Sequence, residues 1–239
     1  MKNKLINFLG LLILLILQYF IVSECGTSIV GYGFYVNAII LLMLFSMEFI
    51  LISLMLSFYG EYFFRKSGVI NLIRFGSRAK MYIYVIKNTI FKAAIIKCIC
   101  YLSYMGFIVF LYHTLNIKGI ALGFWFNLTV SLILYIWQLY VEIRYGAKFG
   151  LLFVNITYIA LTILGSILYE FQNIYTGVLS NICNTLNKLL VTNYLYLERI
   201  KSLGVNYVVV SLIILIILCL SVFIGKLLMK KLDVIQEVD

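Results

Sequence analysis

The sequence predicts an all-α, polytopic integral membrane protein with six transmembrane helices and both termini in the cytoplasm. Of its 239 residues, 64% are hydrophobic and 12% are charged, and the mean hydropathy is +1.08. Soluble domains average roughly 45–50% apolar and about 25% charged residues. The apolar residues form continuous runs of helix length, unlike the alternating stretches of about ten residues in transmembrane β-strands. The Lys and Arg residues are distributed unevenly between these runs.

Each of the six apolar runs is long enough to cross a hydrocarbon core of about 30 Å. They comprise residues 5–22, 35–58, 91–112, 122–141, 150–168 and 206–228, within one transmembrane domain that covers 1–239. The first run follows Lys2 and Lys4, as the apolar part of a signal peptide would. Because Glu24 occupies a position where a cleavage site needs a small residue, we treat this run as the first span.

The distribution of basic residues orients the spans. One side of the predicted membrane carries four of the nineteen Lys and Arg residues, and the other side carries the remaining fifteen. The four are Lys118, Lys188, Arg199 and Lys201. Lys and Arg concentrate in cytoplasmic loops, so the side with fifteen is the cytoplasmic one. The net charge of +10 therefore indicates topology and not nucleic-acid binding, and a composition compatible with an AT-rich genome favours a bacterial cell membrane.

The outer connection before the last span, residues 169–205, is too long for a simple turn. Its apolar residues recur at helical spacing, at Ile182, Leu186, Leu189 and Leu190. This spacing predicts one or two amphipathic helices at the outer interface. Cys183 lies in this segment and Cys25 follows the first span on the same side, so a disulfide is an alternative to two free thiols.

The cytoplasmic segment 59–90 contains a predicted helix, turn and helix. The apolar stretch at 69–73 predicts a short helix, Gly76 permits a sharp turn, and Ser77 is suited to cap a long helix that enters the membrane. The basic residues around the turn are Arg65, Arg74, Arg78 and Lys80. Two interpretations remain open: a basic loop held by anionic lipid, or a coupling element that transmits the movement of a soluble partner.

The motif "LIRFGSRAK" at 72–80 is similar to one in small six-span permease subunits of bacterial ABC exporters. These subunits belong to the type-2 exporter class, which includes permeases for bacteriocin or lantibiotic export and self-immunity. The resemblance rests on Arg74, Gly76, Ser77 and Arg78, and extends to chain length, six spans and the outer helical insertion. It implies contact between this segment and ABC ATPase subunits, a second permease subunit, identical or related, and an amphipathic peptide or lipid as cargo.

The chain lacks the motifs of a nucleotide-binding or metal-dependent enzyme. The "GKL" at 225–227 has neither the upstream Gly nor the Ser or Thr of a phosphate-binding loop, and a single His, His113, excludes zinc motifs with two. We therefore expect no catalytic residue, metal or cofactor on this chain, with ATP bound by a partner subunit. The alternatives are a stand-alone membrane immunity or scaffold protein and the substrate-capturing membrane subunit of an energy-coupling transporter.

Polar residues inside the spans are further candidates. Glu48 in the second span and Lys97 in the third stand at similar depth in antiparallel helices, which predicts an ion pair. A carboxylate inside a membrane is costly, so Glu48 is also a candidate for substrate or proton handling, and a protonated, structural Glu48 is a further alternative. The uncharged candidates are Asn127, Gln138 and Asn155. We expect these to form hydrogen bonds between helices or, alternatively, to line a polar path.

Overall fold

A computed structural model describes residues 2–25, 39–66, 68–113 and 117–230 of the chain. Within these ranges every regular element is helical. In chain order they are α1 (Lys2–Cys25), α2 (Ile39–Leu56), α3 (Tyr59–Glu61), a π-helical turn (Tyr62–Lys66), α4 (Gly68–Phe75), α5 (Arg78–Tyr112), α6 (Ile117–Tyr145), α7 (Ala147–Ile174), α8 (Val178–Leu189), a 3-10 turn (Val191–Leu195), α9 (Leu197–Ser202) and α10 (Tyr207–Lys230).

Five helical stretches of the described chain are long and apolar enough to cross a membrane. They are Met43–Phe64, Arg78–Tyr112, Ile117–Tyr145, Ala147–Ile174 and Tyr207–Met229. These stretches correspond to the predicted spans two to six, so the prediction of a helical, multi-pass membrane protein is confirmed. In α1 the apolar stretch Leu9–Ser23 is shorter, and residues 35–38 of the predicted second span lie outside the described ranges.

Helix α5 begins well before the span that its hydropathy predicts. The sequence places the third span at 91–112, whereas the helix has 35 residues and starts at Arg78. At about 1.5 Å per residue it is about 52 Å long, which exceeds a hydrocarbon core of about 30 Å. Helix α5 is therefore longer than one crossing of the hydrocarbon core requires. Ser77 caps this helix as predicted, since its Oγ accepts a hydrogen bond from Lys80 N at 3.4 Å.

Helix α6 occupies the centre of the bundle. In its most apolar stretch 67% of the residues are buried, against 22% in the corresponding stretches of α5, α7 and α10. Helix α7 approaches it closely at Gly150, where an added Cβ would lie 2.9 Å from the backbone atoms Gln138 O and Glu142 N. Gln138 also joins α6 to α2: Ser53 Oγ donates to Gln138 Oε1 at 2.9 Å, and Gln138 Nε2 donates to Ser53 O at 3.1 Å.

Two carboxylates fasten the helices at the end of the bundle that carries α4. Glu142 Oε1 accepts a hydrogen bond from Glu61 N at 3.1 Å, and Glu61 Oε2 accepts one from Ala147 N at 2.6 Å. The carboxylate of Glu61 thus lies at the start of the long helix α7, where the helix dipole favours negative charge. As a result, the short helix after α2 is tied to the turn between α6 and α7.

The segment 169–205, which the sequence predicts to lie outside and which is called the outer segment here, folds back on α7. Helix α7 continues to Ile174, six residues past the predicted end of its span, and α8 then packs against it, with Ser180 Oγ donating to Gln172 O at 2.9 Å. The predicted amphipathic helix is confirmed, but its apolar face points outward: Ile182 and Leu186 are exposed, whereas Asn187 is buried. Cys183 is a free thiol, and the side chain of Cys25 lies outside those described.

Candidate functional site

Helix α4 is fixed to the bundle by an aromatic cluster. The ring centroids of Phe63 and Phe75 are 5.8 Å apart, those of Phe63 and Tyr84 are 5.5 Å apart, and those of Phe75 and Tyr84 are 5.0 Å apart. Asn71 Nδ2 also donates a hydrogen bond to Phe63 O at 2.9 Å. These contacts join α4 to both the π-helical turn before it and the helix α5 after it.

The opposite face of α4 presents apolar and basic groups to its surroundings. Ile70 is 72% exposed and Ile73 is 80% exposed, the highest value among the large apolar side chains described. These two residues are three positions apart and therefore share one helix face. Arg74 is exposed beside them, with its guanidinium carbon 5.8 Å from the centroid of the Phe75 ring. Helix α4 lies between the apolar stretches that end at Phe64 and begin at Arg78.

The turn after α4 has the geometry that the sequence predicts. Gly76 has φ +69°, in the left-handed region that favours Gly, and its N donates to Leu72 O at 2.8 Å. Lys80 is exposed like Arg74, whereas Ser77 and Arg78 are partly buried. The structure thus brings the predicted coupling residues together around one turn, except that the side chain of Arg65 lies outside those described.

The predicted ion pair between α2 and α5 is present. Lys97 Nζ lies 3.3 Å from Glu48 Oε1, and the two side chains are only 3% and 5% exposed. Tyr104 donates its hydroxyl to Glu48 Oε2, a contact that our sequence analysis missed. Tyr104 stands seven residues after Lys97, which is close to two helical turns, so helical spacing could have identified it. The arrangement supplies each buried charge with a partner, which burial of charge requires.

The prediction that the uncharged intramembrane groups form hydrogen bonds between helices holds for Gln138 but not for the side-chain oxygens of the two asparagines. Asn127 Oδ1 and Asn155 Oδ1 are buried without a hydrogen-bond partner among the described residues, as is Ser131 Oγ. Gln138 stands where α2 approaches α6 and reaches Ser53. Asn127, by contrast, borders a small cavity beside the ion pair, where no protein group fills the space next to it.

A buried arginine holds the outer segment to α7. Arg199 is 0% exposed, although the sequence places it with the outer loop charges. Its Nη1 donates to Thr162 O at 3.1 Å and to Asn193 Oδ1 at 3.0 Å, and its Nη2 donates to Ser166 Oγ at 2.9 Å. The apolar and aromatic residues just before it in the sequence were the available signal that this part of the outer segment is packed.

The described residues contain no group of three or more His, Cys, Asp or Glu side chains that could hold a metal ion. No protein-family model, curated protein or solved structure matches the chain. The two arrangements available for assigning a function are therefore the exposed face of α4 and the buried pair of Glu48 and Lys97. The first is an exposed surface of apolar and basic side chains, and the second joins two helices inside the bundle.

Proposed function

We propose that the chain is the transmembrane permease subunit of an ATP-driven ABC transporter that exports an amphipathic peptide or lipid. Helix α4 would be its contact with a separate ATPase. The observation that carries this proposal is the exposed pair Ile70 and Ile73 on a short helix outside the apolar stretches. Two isoleucines in that position need cover from a protein groove or a lipid surface, since exposed apolar patches mark interaction sites.

The attachment of α4 to the neighbouring helices favours a protein partner. A helix that only rests on lipid headgroups needs no rigid attachment to the spans, yet α4 is joined through its own Phe75 to Phe63 of the π-helical turn and to Tyr84 of α5. A force applied to Ile73 therefore passes into α5 instead of being absorbed by a flexible loop. This is the mechanical property that coupling to a nucleotide-driven subunit requires.

The charges around the apolar pair complete an interface of ordinary composition. Arg74, beside Ile73 in α4, and Lys80, in the first turn of α5, are both exposed. Interfaces commonly have an apolar centre and a polar rim, and Arg is enriched in them. The matching surface on the ATPase would be an apolar groove with an acidic rim, because opposite charges steer association and exclude wrong partners.

The proposal includes six spans, with α1 as the first, and both termini in the cytoplasm of a bacterial cell. Helix α1 packs against α2 and α5, and its Leu14 and Ile21 are 1% and 0% exposed. The α4 end of the bundle is the more basic one, which supports a cytoplasmic position for it. Its described basic residues are Arg74, Arg78, Lys80, Lys87, Lys92, Arg144, Lys148 and Lys226. A second permease subunit, identical or related, would complete the transporter in the lipid bilayer.

The test is co-expression of the chain with an ABC ATPase encoded beside its gene, followed by co-purification and measurement of ATP hydrolysis in liposomes. Ile73→Asp and Arg74→Glu should each reduce ATPase recovery at least tenfold, which corresponds to about 1.4 kcal/mol of binding free energy. Lys118→Glu is the matched control, because Lys118 is exposed at the other end of the bundle. Its ATPase recovery should equal that of the wild type.

Undiminished recovery of the ATPase with both α4 variants would remove the coupling role from this helix. If no ABC ATPase is encoded beside the gene and none co-purifies, the permease assignment fails. The stand-alone immunity or scaffold protein and the substrate-capturing subunit would then be the candidates to test. Membrane insertion of the α4 variants should be normal, because Ile73 and Arg74 lie outside the apolar stretches. Lys118 is the second residue of α6, at the very end of its apolar stretch, so Lys118→Glu should also insert normally.

A further inference from the structure

We infer that the centre of the bundle binds one ordered water molecule, held between the ion pair of Glu48 and Lys97 and the polar side chains of Asn127 and Ser131. The inference rests on a cavity and on the polar atoms that line it, and it does not depend on the proposed transport function. Four groups of complementary hydrogen-bonding type border this cavity: a carboxylate, an ammonium, a carboxamide and a hydroxyl.

The size of the cavity fits one water molecule. Its volume is about 10 Å³, which is about the smallest space that holds a buried water. Organic ligands are excluded by this volume. A metal cation is disfavoured by the ammonium of Lys97, and an anion such as chloride is disfavoured by the carboxylate of Glu48. A neutral molecule that both donates and accepts hydrogen bonds is therefore the ligand that this site suits.

Two lining groups need the partner that a water would supply. Ser131 is 1% exposed, and both Ser131 Oγ and Asn127 Oδ1 are buried without a hydrogen-bond partner among the described residues. The two residues are four positions apart on α6, so their side chains are neighbours on one helix face. A polar group that is left buried and unpaired destabilises the folded protein. One water could donate to Asn127 Oδ1 and bond to Ser131 Oγ at the same time.

Lys97 provides the third partner. Its ammonium has three N–H donors, of which one serves Glu48 Oε1 at 3.3 Å. A second can point to the water oxygen. The water then has three partners, which is the usual number for a buried water. On the far side of the cavity the hydroxyls of Tyr158 and Tyr196 bond to each other, so the water site lies where α7 and the outer segment meet the ion pair.

Hydroxyl-radical footprinting with X-rays tests this site in the full chain in lipid nanodiscs, because radiolysis of a bound water oxidises the side chains next to it. Tyr158 and Tyr196 are 1% and 3% exposed, so bulk solvent should not label them. After rapid mixing with H₂¹⁸O, the label on these rings should still carry ¹⁶O when exposed tyrosines such as Tyr62 already carry ¹⁸O. Absence of label on both rings in the folded wild type would overturn the inference.

The variant Asn127→Leu/Ser131→Ala removes two partners of the water and should reduce labelling of Tyr158 and Tyr196 at least fivefold. Ser103→Ala is the control, since Ser103 does not line the cavity and its hydroxyl already bonds to Ile99 O of its own helix. It should leave the labelling unchanged. Equal labelling in the double variant and the wild type would contradict the site. If the double variant does not fold, Ser131→Ala alone gives the same comparison, with an expected reduction of at least twofold.

Discussion

Neutralising one member of the pair of Glu48 and Lys97 should destabilise the bundle far more than neutralising both. With an effective dielectric constant of about 20, Coulomb's law gives about 5 kcal/mol for unit charges at the observed separation of 3.3 Å. Breaking a buried pair by removing one partner costs about 3–5 kcal/mol, because the other charge stays buried. Glu48→Gln and Lys97→Met should therefore each lower the melting temperature by roughly 10 °C.

The double variant Glu48→Gln/Lys97→Met leaves neither charge of this pair in the bundle, and the amide oxygen introduced by Glu48→Gln can still accept the hydroxyl hydrogen bond of Tyr104. Replacement of a buried ion pair by uncharged side chains of similar volume is often close to neutral, so its melting temperature should lie within about 4 °C of the wild-type value. The measurement is thermal unfolding of the four proteins in one detergent, read as a double-mutant cycle. Additive losses, with the double variant the least stable, would show that the two charges do not interact and would refute the reasoning.

Two further predictions concern the close contacts of α7. Gly150→Ala should lower the thermal stability measurably, because its Cβ would lie 2.9 Å from the backbone of α6. Gly106→Ala is the control and should be neutral or slightly stabilising, because nothing lies within 4 Å of the added Cβ. Equal effects of the two changes would argue against the close approach. Arg199→Met should loosen the outer segment, because three hydrogen bonds to oxygens of α7 and of the 3-10 turn are lost. Limited proteolysis should then cut residues 175–205 at least tenfold faster. Lys201→Met, at an exposed pair with Glu198, should leave the cleavage rate unchanged, and an unchanged rate in Arg199→Met would remove the anchoring role.

The features that sequence reasoning identified are those with a local or strongly penalised signal. Ser77 and Gly76 mark a helix start and a left-handed turn through backbone chemistry that needs no knowledge of the rest of the fold. Glu48 and Lys97 could be paired because an isolated charge inside an apolar bundle is so costly that a partner at similar depth is expected. The long apolar runs predicted the membrane helices, because charges are too costly to occur often inside such helices.

The features that were missed depend on which helix faces meet. Hydropathy reports where a helix is buried in lipid, not where it begins, so the apolar run predicted only a span at 91–112, and the start of α5 at Arg78 could be predicted only from its cap at Ser77. The closeness of α6 and α7 at Gly150 depends on a single missing Cβ, and nothing in the sequence distinguishes this Gly from its neighbour Gly146. The burial of Arg199 requires oxygens from α7 and from the outer segment together, which only the tertiary structure brings to one place.

Lys97 lies on α5, the helix that follows α4, so the ion pair is placed to transmit a movement of α4 to α2. Lys97 stands nineteen residues after Arg78, about 28 Å along α5, so a push on α4 reaches Lys97 through one continuous helix. Lengthening the separation of 3.3 Å by about 1 Å would cost roughly 1 kcal/mol at an effective dielectric constant of about 20. Helices α2 and α5 should therefore move together when α4 is displaced. On the proposed function, the double variant Glu48→Gln/Lys97→Met should still bind the ATPase but transmit its stroke less well, with lower transport for each ATP hydrolysed. Transport per ATP equal to that of the wild type would show that packing alone holds α2 to α5.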